Sequence, residues 1–163
     1  MQPGHRLGRE GVIAGIIGAT SVAVWFLIVD LIAGHPLYTP RILGAGVASI
    51  FGDTTHDGAL VHVLVYTIVH YAAFIATGIV VSYVVHKAET EPSVLVIFTL
   101  LFIIFELGVY GVIALLAETE LRSLAWYQIA AGNLLAAAMM GTYMWRTHPA
   151  LRQEFAHALG GDE

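Results

Sequence analysis

Long apolar stretches alternate with short polar ones along the chain. Four runs stand out: Gly11 to Ala33, Ala59 to Val85, Val94 to Ala117 and Leu124 to Trp145. Each reaches the roughly 20 residues that an α-helix needs to cross about 30 Å of hydrocarbon. The first run is too long for the apolar core of a secretory signal, and no small-x-small cleavage site follows at Ala33-Gly34-His35-Pro36. It reads as a retained helix. The links at 86–93 and 118–123 are short, which makes the helices they join antiparallel neighbours. The segment 34–58 is longer. Thr39-Pro40 within it is a helix start, with the hydroxyl as cap and proline at the first helical position. Arg41 to Phe51 then predicts a short helix in the outer interface or folded back over the bundle. Asp53 to Gly58 caps the second long helix, and the tail from His148 forms a short cytoplasmic helix. The expectation is an all-α polytopic membrane protein. Residues 1–163 make one domain, an antiparallel bundle of four transmembrane helices with a short interfacial helix in its first external loop.

Composition agrees. The 163 residues are 58% hydrophobic and 12% charged, with a mean hydropathy of +0.78. A soluble domain carries about one quarter charged residues. The net charge of −5 comes without a basic stripe, so no nucleic-acid partner is implied. There is no cysteine, which removes disulfides, thiolate metal sites and iron–sulfur clusters. Arg6, Arg9, Lys87, Arg146 and Arg152 flank one set of helix ends; Arg41 and Arg122 flank the other. The richer side is cytoplasmic. Both termini then lie inside. Trp126 and Tyr127 fall at the outer interface, and Tyr143 and Trp145 at the inner one.

Small residues recur every fourth position: Gly11, Gly15, Ala19 and Ala23 in the first helix, with Asp30 on the same face. Ala72 with Ala76, Ala73 with Thr77, Gly132 with Ala136 and Met140, and Ala137 with Gly141 repeat the spacing. Such faces let helix backbones approach closely where lipid gives no hydrophobic drive for association.

Polar groups inside the apolar runs are costly and are functional candidates by default. His70, Glu106 and Asn133 lie at matched depth, roughly 15 Å in from the outer helix ends by residue count. They define a midplane layer in which Glu106 pairs with His70 and Asn133 completes the set. A lone carboxylate there must be protonated or paired. A second layer nearer the outer surface holds Asp30, His62, Tyr66, Tyr110 and Gln128. His62, Tyr66 and His70 stand on one helix face, as do Glu106 and Tyr110. The layers are read as a hydrogen-bond knot fixing the bundle, a metal or haem site, a proton or small-ligand path, or a quinone or pigment contact. His62 and His70 are about 12 Å apart along their helix and cannot share one metal. Outside the membrane, Asp53, His56 and Asp57 form a possible metal group with His62, and with His35 nearby. His5, His86, His148 and His157 are expected to be interfacial or solvated. Eight histidines against seven Lys plus Arg make the chain histidine-rich.

No nucleotide loop, His-Glu-x-x-His, nucleophile elbow or haem-attachment motif is present, and the four apolar runs lack the Glu-x-x-His pair of di-iron bundles. Gly11-Val-Ile-Ala-Gly15 and Gly34-His-Pro-Leu-Tyr-Thr-Pro-Arg-Ile-Leu-Gly44, followed by a helix bearing His70, resemble small four-helix bacterial inner-membrane proteins of uncharacterised families. The resemblance covers the layout of the first half. It implies a bacterial inner membrane and carries over no catalytic residue. The function expected is non-catalytic: a scaffold or accessory subunit of a larger membrane assembly, with other membrane subunits or further copies as partners. The alternatives are a binding or transport module with a His/carboxylate site open to the periplasm, and a small cofactor-binding redox protein. No cofactor is assigned.

Overall fold

The computed structural model describes residues 3–50, 52, 58–91, 93–100, 102–103 and 126–149. Helix α1 runs over Pro3–Ile32, α2 over Tyr38–Ser49 and α3 over Ala59–Ala88. Residues 93–100 are helical (α4), as are 102 and 103. Helix α5 covers Trp126–Thr147. The protein is all-α over these residues. Two of the helices, α1 from Arg6 to Ile32 and α3, are long and apolar enough to cross a membrane. Helix α5 is long enough at 22 residues. Gln128, Asn133, Arg146 and its weakly apolar aromatics and glycines lower its hydropathy below that of the other two. The first run extends two turns further toward the N-terminus than its apolar stretch, because nothing in Pro3 to Glu10 interrupts a helix. Proline at its first position is tolerated there.

Helix α1 is the central stave. Ala14, Ala19, Val22, Phe26 and Asp30 are buried along it. Its Gly11/Gly15 edge meets α3 backbone to backbone at Gly78. A Cβ on Gly11 would sit 2.5 Å from the Ile79 Cα, and one on Gly78 would strike Gly11 and Gly15. The four-residue glycine spacing is thus used for a close crossing, as small-residue faces allow. Another side of α1 packs against α5. Val22, Phe26 and Ala136 form one cluster, with Trp25, Leu43, Phe74 and Ile129 around it. Ala14, Val85, Ala88, Met140 and Met144 form a second, which Leu95 of α4 also touches. Ser82 Oγ donates to the Leu7 carbonyl, and Trp25 Nε1 donates to the Gln128 carbonyl. These bonds set α1 antiparallel to both α3 and α5. The start of α1 and the ends of α3 and α5 therefore share one end of the bundle.

At the opposite end α2 folds back onto α3, as expected for an apolar loop helix. Gly44 lies directly against the His62 carbonyl, where any Cβ would collide. The helix start differs from expectation. Thr39 is not the cap. The helix begins at Tyr38, behind Leu37 in a left-handed conformation (φ 64°) that offers no side-chain cap. Pro40 is its third residue, still within the first turn, where a missing N–H costs no intrahelical bond. Asp30 of α1 supplies the acceptor instead. Helix α3 likewise starts behind Gly58 with no side-chain cap bond.

Candidate functional site

Two polar constellations occupy opposite ends of the bundle. The first is built from Asp30, at the end of α1. Its Oδ2 accepts the Thr39 N–H at 2.9 Å and its Oδ1 accepts the Thr39 hydroxyl at 2.7 Å. Asp30 and Thr39 are 3% and 1% exposed, so this carboxylate is spent on the α2 start and shielded from solvent. Beside it a cavity of about 300 Å³ opens between α1, α2 and α3. Asp30, Thr39, Tyr66, Thr67, His70 and Tyr71 line it among apolar side chains such as Phe26 and Leu27. The Tyr66 and His70 rings stack at 5.1 Å, and Phe74 lies 4.8 Å beyond. Thr20 and Tyr71 exchange a hydroxyl bond of 3.0 Å at the rim.

Three of the outer-layer and midplane residues, Asp30, Tyr66 and His70, thus converge on one cavity. His70 is buried, and its Nε2–H donates to the Ala19 carbonyl at 3.0 Å. Glu106 and Tyr110 lie outside the described residues. Asn133 is half-buried on α5. Gln128 enters through its backbone carbonyl, to Trp25. His62 does not line the cavity; it is half-buried beneath α2, and its Nε2 is buried with no hydrogen-bond partner. Asp53, His56 and Asp57 also lie outside the described residues. His35 is exposed on the turn into α2, its ring 6.2 Å from that of Tyr38.

The second constellation takes His148, expected to be interfacial or solvated, out of solvent and brings it together with His86. His148, just past the end of α5, is 5% exposed. His86, in the last turn of α3, is half-buried. Both face Glu10, in the third turn of α1. Each imidazole has its Nδ1–H committed. His86 Nδ1 donates to the Ser82 carbonyl at 2.9 Å. His148 Nδ1 donates to the Glu89 carboxylate at 2.8 Å. The Nε2 atoms are left to face Glu10 Oε2, at 3.7 Å from His86 and 3.3 Å from His148. Glu10 Oε2 and His148 Nε2 are buried and take part in no hydrogen bond. The two rings meet edge-on at 4.7 Å. Glu89 is carried by a tight turn in which Glu89 N–H bonds Val85 and Glu91 N–H bonds Lys87. Lys87 turns outward to Glu91 at 2.8 Å, leaving the cluster without its charge.

Four ionisable side chains from α1, α3, the following turn and the end of α5 thereby meet at one end. The C-terminal dipoles of α3 and α5 point the same way and add negative potential. Chemically the group suits a cation, whether a shared proton or a metal ion. No residue spacing signals it, since Glu10, His86 and His148 are far apart in sequence. The usable signal is position: each lies at a helix end on the side rich in Arg and Lys. No protein-family model, curated protein or solved structure matches the chain.

Proposed function

We propose that the chain is a four-span integral protein of a bacterial inner membrane, with both termini cytoplasmic, serving as a non-catalytic accessory or scaffold subunit of a larger membrane assembly. The observation that carries this reading is the outward surface. Ile32, Leu60, Leu64, Ile68, Val96 and Leu134 are each more than half exposed, which in water would be an aggregation-prone shell. Lipid is the solvent that suits it. Arg6, Arg9, Lys87 and Arg146 gather at the end formed by the start of α1 and the ends of α3 and α5, which supports a cytoplasmic assignment for that end. The accessory role rests on leftover association faces. Gly11 and Gly15 are used inside the bundle, whereas Ala72, Ala76, Ala137 and Gly141 face outward among the described residues.

Native purification in mild detergent, combined with disulfide cross-linking of Ala76→Cys and Ala137→Cys, tests this. Co-purifying membrane proteins, or cross-links to a second chain at these positions, are the expected result. A monodisperse single chain without intermolecular cross-links contradicts it. The Glu10, His86 and His148 cluster favours a second reading, a His/carboxylate binding module. Its site then lies at the end formed by the start of α1 and the ends of α3 and α5 rather than the periplasmic end suggested by sequence. A visible absorption band in the same preparation would support instead a cofactor-binding redox protein.

A further inference from the structure

The geometry points to a divalent metal site at Glu10, His86 and His148: one ion of the zinc type, held by two imidazole Nε2 atoms and one carboxylate oxygen. Two imidazoles and a carboxylate are a known zinc donor set, which leaves a fourth position for water or another ligand. Metal–ligand bonds of about 2.0–2.1 Å in a tetrahedron put neighbouring donors about 3.3 Å apart. Glu10 Oε2 lies 3.3 Å from His148 Nε2 and 3.7 Å from His86 Nε2. All three donors fall within 4.8 Å of one another.

The outer hydrogen bonds make the case specific. A metal-bound imidazole donates its other N–H to a carboxylate or a backbone carbonyl, which fixes tautomer and ring direction. Here both rings do so, one to the Ser82 carbonyl and one to the Glu89 carboxylate. With Nδ1 protonated, each neutral ring presents a lone pair at Nε2. Those lone pairs meet a carboxylate oxygen, an arrangement of acceptors that calls for a cation between them. A proton alone serves poorly, because His148 Nε2 and Glu10 Oε2 lie close yet form no hydrogen bond, and both are buried. His148 side-chain exposure is 6%, so water does not resolve the conflict. The ion ties the start of α1 to the ends of α3 and α5, and Glu89 holds His148 in place without touching it.

The full chain, purified in detergent, stripped with chelator and titrated with Zn²⁺ against a chromogenic competitor, tests the site. Co²⁺ loading reports donor geometry by its visible spectrum. The expected result is one Zn²⁺ per chain, an intense four-coordinate Co²⁺ spectrum and a higher melting temperature with metal. Glu10→Gln, His86→Ala and His148→Ala should each abolish the stoichiometric binding. Glu89→Gln, which leaves the three donors intact, should weaken it about 10- to 100-fold. Absence of stoichiometric Zn²⁺ binding by the unaltered chain overturns the site whatever the variants do. So does binding that survives all three donor substitutions, which would direct the ion to Asp53, His56 and Asp57 instead.

Discussion

Asp30 holds both the N–H and the hydroxyl of Thr39, nine residues later, and so fixes where the chain turns back into α2. Buried hydrogen bonds to a charged group are worth about 1.5–3 kcal/mol, and removing one partner leaves the other unsatisfied. Asp30→Ala should therefore destabilise by about 2–3 kcal/mol. Asp30→Asn should cost less, since its amide oxygen accepts the N–H and its amino group can donate to the hydroxyl. Thermal unfolding in detergent checks the order, and equal melting temperatures for Asp30→Ala and the unaltered chain would refute it. Depth counting divides Asp30 and Tyr66 from His70 as two layers, whereas in the structure all three line one cavity. Sequence did not reveal Asp30's partner, since a Thr-Pro pair looks like its own cap. Position along the chain alone gives His86 and His148 an interfacial or solvated place, and His148 is buried. A depth count within the apolar runs does not reach the helix ends, where Glu10, His86 and His148 also share a level.

At the scale of helices, glycine spacing was the most legible feature. The first-helix glycines were expected to face another helix, and they meet α3 at Gly78. What sequence could not supply was the choice of partner, because α3 and α5 carry small residues at the same spacing. Gly44 shows how tight these contacts are. Its Cβ position is taken by the His62 carbonyl, whereas Gly46, two residues on and toward the opposite side of α2, meets nothing within 4 Å. Gly44→Ala should push α2 off α3 and cost about 1–3 kcal/mol, as overpacking does. Gly46→Ala should be neutral or stabilise by up to about 1 kcal/mol through helix propensity. Gly15→Ala and Gly78→Ala should behave like Gly44→Ala, and Gly8→Ala, also in open space, like Gly46→Ala. Melting temperatures of these paired variants measure the contrast. An equal response at Gly44 and Gly46 would mean that α2 is not docked on α3.

On the scale of the whole molecule, orientation decides what each constellation faces. The Glu10–His86–His148 end is rich in Arg and Lys, and the Asp30 cavity lies toward the other end. If the first is cytoplasmic, the proposed metal site samples the cell interior and the cavity lies toward the periplasm. The chain has no cysteine, so single cysteines report position without background. The most direct measurement is labelling of Gly4→Cys, Thr55→Cys and Gly161→Cys in intact cells with a membrane-impermeant thiol reagent, repeated after permeabilisation. Labelling at Thr55 alone in intact cells, with all three reactive after permeabilisation, is the expected result. Labelling of Gly4→Cys in intact cells would contradict a multi-pass protein with its termini inside.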